Sequence, residues 1–125
     1  IVRSLDECDR LLAYVSHNKL FIPWPAKGVL AQSALNRRKE NQLLYTAVKG
    51  DPTVGLEPLL PQIETPVLSI WGEADRILLV SSVDKMRPLL PHAEVIIMED
   101  TGHVPMLARP AETAAHYLRF LERVR

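Results

Sequence analysis

The chain has 125 residues, of which 47% are hydrophobic and 24% charged, the balance of one ordinary globular domain with enough apolar mass for a core. Its 15 basic and 15 acidic side chains cancel, and they are evenly spread: eight basic and seven acidic lie before Pro66, seven and eight from there on. Without a basic patch, no nucleic-acid partner is expected. Cys8 is the only cysteine, which excludes an intrachain disulfide and reads as a small buried hydrophobe on a helix. No apolar run approaches the ~18 residues that span a bilayer, and a cytoplasmic location is the default expectation. The start, Ile1-Val2-Arg3-Ser4, has no initiator methionine and no signal-peptide layout, so the chain is expected to be a piece of something longer.

The first half reads as helical. Ser4-Leu5-Asp6-Glu7 fits a capping box, the Ser4 hydroxyl taking the Glu7 amide and Glu7 reaching back. Leu5, Cys8, Leu12 and Val15, with Leu11 beside them, then form one apolar face, and Asn18-Lys19 marks the end. Leu20-Phe21-Ile22-Pro23-Trp24-Pro25 follows, and its prolines predict an extended run. Helices are predicted from about Ala26 to Leu35 and from about Lys39 to Lys49. Gly50-Asp51-Pro52 stops the second, and Pro52, Pro58, Pro61 and Pro66 mark an irregular connector.

From Pro66 the texture changes. Pro66 to Trp71 is a short apolar strand ended by Gly72. Ser81 or Ser82 can cap a helix to about Leu90 with Val83, Met86 and Leu90 inward. Ala93 to Met98 is a second apolar strand. Pro110 suits the first residue of a final helix, with Ala114, Tyr117, Leu118, Leu121 and Val124 along one side. Strand, helix, strand, helix at this spacing is a βαβα unit with a parallel pair, and near-continuous apolar strands agree with that.

In open α/β sheets, reactive groups collect beyond the carboxyl ends of the strands. Asp75 follows the first strand in Trp71-Gly72-Glu73-Ala74-Asp75, and His103 follows the second in Glu99-Asp100-Thr101-Gly102-His103. Parallel neighbours put both loops on one edge, so the two can meet. A carboxylate on imidazole Nδ1 fixes the tautomer and stabilises the imidazolium formed when the ring takes a proton. Gly102 is expected to allow a tight turn. The plainer alternative is a turn-forming aspartate and a surface histidine, each unrelated to the other. His17, His92 and His116 read as structural, and Asp100 as a brace within the histidine loop.

Pro66 to Asp75 resembles the penultimate strand and acid loop of α/β-hydrolases. Thr101-Gly102-His103, followed by Arg109-Pro110 and a closing helix, resembles their histidine loop and final helix. The likeness covers residues 62–125, and more loosely residues 1–60, which are similar to the helical cap of that family. The resemblance implies an α/β fold: the C-terminal part of an α/β-hydrolase sheet, a parallel βαβα unit over 61–125, preceded by helical cap or lid segments over 1–60. It further implies Asp75 as triad acid and His103 as triad base, in the chain order of the family. Among its members, monoacylglycerol-lipase-like and esterase-like proteins are the most similar. Ala108 departs from the glutamate that many members carry before Arg-Pro, and Leu78-Leu79 from the acidic or proline residues common there.

No G-x-S-x-G elbow occurs, and none of Ser4, Ser16, Ser33, Ser69, Ser81 and Ser82 has flanking glycines at that spacing. Family order puts the nucleophile and oxyanion hole before residue 1. The expected function is therefore part of a serine hydrolase cleaving acylglycerols or similar apolar esters, the 125 residues alone being inactive. Two alternatives stay open. One is an Asp-nucleophile dehalogenase or epoxide hydrolase of the same fold, and the other is a non-catalytic binding protein. Phe21 and Trp24 either line an acyl pocket or touch a membrane surface, or serve packing among cap helices; Met106 beside the histidine either borders a pocket or is core. No metal and no organic cofactor is expected, since no His/Cys/carboxylate set has ligand spacing. The expected companions are a small apolar ester and the missing N-terminal portion of the same protein, or else self-association through the open edge of Val67–Trp71.

Overall fold

The structure is a computed structural model that describes residues 2–18, 22–49 and 55–125, apart from the side chain of Trp24. The chain divides into two compact units: Ile1–Ala13 with Phe21–Gly55, and Tyr14–Leu20 with Leu56–Arg125.

The first unit is helical. Helix α1 (Leu5–Val15), of which residues 5–13 belong to this unit, opens on the predicted cap, with Ser4 Oγ accepting from the Glu7 amide at 3.2 Å. The return contact differs from a strict capping box: Glu7 Oε2 accepts from the amide of Arg3 at 2.7 Å, one residue before the cap. Cys8 is buried with Val2 and Ala31, and Leu12, Ala34 and Leu35 pack on them, whereas Leu5 and Leu11 of the expected face remain exposed. Helix α2 (Trp24–Asn36) starts earlier than the prolines suggested. Pro23 is extended at the cap position and Pro25 sits in the first turn, where a fixed φ and a missing N–H cost nothing. Helix α3 (Arg38–Lys49) buries none of its residues; Leu43, Leu44, Tyr45 and Val48 are all exposed.

The second unit holds the α/β layer. Strands β1 (Leu68–Gly72) and β2 (Glu94–Met98) pair in parallel, Leu68 opposite Glu94 and Gly72 opposite Met98. The crossover contains α4 (Ser82–Met86), which buries Val83; Leu90 just beyond it is also buried and Met86 half-buried, as expected. Helix α4 is shorter than predicted because Pro88 has no amide hydrogen to extend the ladder, and the amides of Leu89 and Leu90 both turn back to the Met86 carbonyl. Ser81 takes the cap position without a side-chain cap bond.

After β2 comes a short helix absent from the sequence reading, α5 (Pro105–Ala108), then α6 (Pro110–Val124), which begins at Pro110 as predicted. Helix α6 is tied down by Thr113 Oγ1 on Met98 Sδ at 3.7 Å and by an ion pair of Arg123 with Glu94. Its covered face differs from the predicted one. Thr113, His116, Phe120 and Leu121 are half-buried, while Tyr117, Leu118 and Val124 are exposed, because a sheet of two strands covers only part of the apolar side. No helix among the described residues is long and apolar enough to cross a membrane.

Candidate active site

The paired strands end in step, so the loops that follow them leave the sheet side by side. They are stitched together by the amide of Glu73 on the Met98 carbonyl at 3.0 Å and that of Ala74 on the Thr101 carbonyl at 2.9 Å. The approach demands glycine. A Cβ on Gly72 would stand 2.2 Å from the Gly102 carbonyl oxygen, and one on Gly102 would stand 2.6 Å from the His17 nitrogen and 2.7 Å from the Val15 oxygen. Gly102 is thus needed for close passage of backbone. It is not needed for a left-handed turn, since no described glycine has a positive φ. The left-handed residue of this loop is Asp100, with φ 53°, a conformation that aspartate tolerates better than most residues.

These loops bring Asp75 and His103 together. Asp75 is buried, with 5% of its side chain exposed, and its Oδ2 lies 2.8 Å from His103 Nδ1. The other oxygen, Oδ1, accepts from the amides of Ile77 at 2.7 Å and Leu78 at 3.0 Å, an Asx-type turn that fixes the carboxylate plane. The Trp71 indole N–H donates to the Leu78 carbonyl at 2.9 Å and holds the far side of the same loop. Burial, the largest single influence, pushes the Asp75 carboxyl up. The hydrogen bond with His103, the amides of Leu78 and Ile77, and the charge of His103 together outweigh it, so Asp75 lies below its ordinary value. A carboxylate only accepts hydrogen bonds, so the proton on His103 resides on Nδ1. In the neutral ring this leaves a lone pair on Nε2. The His103 side chain is 33% exposed, and both residues border a cleft of about 320 Å³ that runs along Leu68 to Gly72 and is also lined by Leu78 and Pro105.

The remaining expected site residues are placed differently. Met106 lies on α5 with its side chain exposed, and its neighbour Pro105 is the one that meets the cleft. Phe21 lies outside the described residues, and of Trp24 only the backbone, at the start of α2, is described. Sequence reasoning did not identify the amides of Ile77 and Leu78 or the Trp71 indole as supports of the acid. The spacing from Asp75 to Ile77 and Leu78, typical of an Asx turn, was the available signal. Among the described residues, no group of three or more His, Cys, Asp or Glu side chains could hold a metal ion.

A parallel βαβα unit thus brings a buried, multiply bonded carboxylate to an imidazole just beyond the ends of the paired strands. The chain belongs to the alpha/beta hydrolase family, whose model matches residues 5–116. Its second unit has the fold expected for the C-terminal part of that family's sheet. It is 28% identical over 120 residues to Lipase 1 of Psychrobacter immobilis, a match covering 96% of this chain and 38% of the relative. It is 32% identical to the monoacylglycerol lipase ABHD6 of Mus musculus, over 95% of this chain and 36% of that protein. The crystal structure of a membrane phospholipase A, a bacterial virulence factor, superposes with a TM-score of 0.92 at 42% identity, covering all of this chain and 40% of the other. The chain therefore spans less than two-fifths of either curated relative.

Proposed function

We propose that this chain supplies the acid and the base of a catalytic triad in an α/β-hydrolase that cleaves carboxylic esters of apolar acyl groups. The observation that carries the reading is the 2.8 Å contact of buried Asp75 with His103 Nδ1, which leaves Nε2 to take a proton. In this reading a serine hydroxyl from outside the 125 residues attacks the ester carbonyl as its proton passes to His103 Nε2. Asp75 stabilises the imidazolium, and the same proton then goes to the leaving alcohol. Water repeats the cycle on the acyl-enzyme and returns the free acid. The names of the relatives, a lipase, a monoacylglycerol lipase and a membrane phospholipase A, support an apolar acyl ester as substrate and contact with a lipid surface.

A fluorophosphonate probe on the full-length protein tests this. Labelling of the wild type that disappears in His103→Ala is the expected result. A wild type that is never labelled but hydrolyses an epoxide to a diol, or a haloalkane to an alcohol with release of halide, would transfer the pair to an Asp-nucleophile enzyme.

A further inference from the structure

Residues 14–18, the last turn of α1 and the bend after it, belong to the same unit as the two loops of the site and touch both of them. The Arg76 guanidinium, next to the acid, lies over the Tyr14 ring at 5.8 Å. The Val15 carbonyl accepts from the backbone amide of His103 at 2.9 Å. Ser16 is buried, and the backbone of residues 15–17 passes so close to Gly102 that no side chain fits there. His17 Nε2 meets Asp100 Oδ1 at 2.9 Å, and Asn18 Nδ2 donates to the Asp100 carbonyl at 3.0 Å. Asp100 is the left-handed residue on which the histidine loop turns, and its own amide donates to Glu73 of the acid loop at 3.3 Å.

We infer that residues 14–18 form a strap that sets the position of His103, with His17 on Asp100 as its clasp and His17 a positioning residue of the site. The proposal rests on the reading of Asp75 and His103 as acid and base. The chemistry of the strap favours geometry over stability. His17 and Asp100 are 35% and 62% exposed, and so exposed a side-chain contact adds little to the folded state. What the clasp fixes is the one left-handed turn between β2 and His103, while the Val15 carbonyl holds the His103 backbone amide. Small displacements of a base from its working position cost far more in turnover than in binding.

The test uses the full-length protein and two readouts: kcat and KM on a short p-nitrophenyl ester, and the downfield NMR resonance of the His103 Nδ1 proton bound to Asp75. In His17→Ala, kcat is expected to fall roughly 10- to 100-fold with KM within about twofold, and the resonance to broaden or shift. His17→Gln keeps an N–H donor toward Asp100 and restores most of the loss. Asp100→Gly keeps the left-handed backbone without strain but removes the clasp, so it matches His17→Ala, and the double variant falls no further. Should His17→Ala fail to fold, Asp100→Gly carries the same comparison. Unchanged kcat and an unchanged resonance in both single variants overturn the strap, as does a loss confined to KM. A wild type with no esterase activity whose resonance still responds to His17→Ala would keep the strap and remove the ester-hydrolase reading instead.

Discussion

Gly72 and Gly102 cross with no room between them: a Cβ added to the first would lie 2.2 Å from the carbonyl oxygen of the second and 2.3 Å from that of Thr101. Because these are backbone atoms, no side chain can swing aside. Gly72→Ala is therefore expected to destabilise the full-length protein by about 2–4 kcal/mol and to spread the two loops. Gly28, in α2, has nothing within 4 Å of its added Cβ, and Gly28→Ala is expected to be stabilising by roughly 0.5–1 kcal/mol. Denaturant unfolding of both variants gives the comparison. Equal and small effects would mean that the loops do not approach as described.

Three described histidines invite confusion with the proposed base, and their surroundings differ. His103 alone of the four histidines contacts Asp75, His92 is exposed in the turn before β2, and His116 is half-buried on α6. Substituting His103 by alanine is expected to lower turnover of the full-length enzyme by roughly 10³ or more, whereas His92→Ala and His116→Ala stay within about tenfold. Steady-state assays on one short ester decide it; a silent His103→Ala beside a crippled His92→Ala would reassign the role.

The depressed carboxyl of Asp75 makes a pH prediction with a definite sign. Its folded-state value lies below the ordinary 3.8, so the unfolded chain takes up a proton first as pH falls. The stabilisation from this group is complete above about 3.8 and is lost as pH falls through the lower folded value. Urea unfolding of wild type and Asp75→Asn from about pH 6 down to about pH 2 should show the gap between them narrowing in acid. In the same variant the amide N–H₂ can present a donor to Nδ1 and favour the wrong tautomer, so activity near neutrality should drop roughly 10³- to 10⁴-fold. A gap that does not change with pH would mean that the carboxylate form is not favoured by folding.

The 125-residue chain on its own is expected to show no esterase activity and to self-associate. Under the proposed reading the nucleophile that His103 serves lies outside the 125 residues, and the sheet, among the described residues, is two strands with the far side of β1 bordering the open cleft. Tyr117, Leu118 and Val124 of α6 are exposed as well, and unpaired strand edges beside apolar surface tend to recruit other chains. Light scattering on purified chain and a p-nitrophenyl ester assay test both statements. A monomeric 14.1 kDa species, or turnover lost on His103→Ala, would contradict them.

Much of this architecture could be read from residue order. The parallel pair followed from two apolar runs separated by a helical spacing, and the meeting of Asp75 with His103 followed from both standing just past strand ends. Local punctuation was less transparent. Pro25 looked like a breaker but serves as a helix opener, since a proline has the same φ in either role. Helix α5 is a single turn between Pro105 and Pro110, too short for any periodicity to register. Gly102 was assigned to a turn because conformational freedom can be guessed from sequence, whereas the crossing of residues 15–17 above it is a tertiary fact. The exposed side of α6 escaped for a similar reason: a pattern of apolar residues names the face a helix could bury, and the breadth of the sheet beneath decides how much of it is covered.

The flush pairing of Gly72 with Met98 makes the acid and the histidine a single inheritable cassette. Their register, though not the fine position of His103, is set within one continuous stretch, residues 68–103, by a ladder of backbone hydrogen bonds that is indifferent to most side chains. Exchange of that stretch between members of the family would carry both groups in register whatever the recipient's loops and specificity. The same exchange would strand His17 in the donor, so a chimera should inherit the chemistry of the pair while borrowing its fine alignment from whatever the recipient holds at positions 14–18.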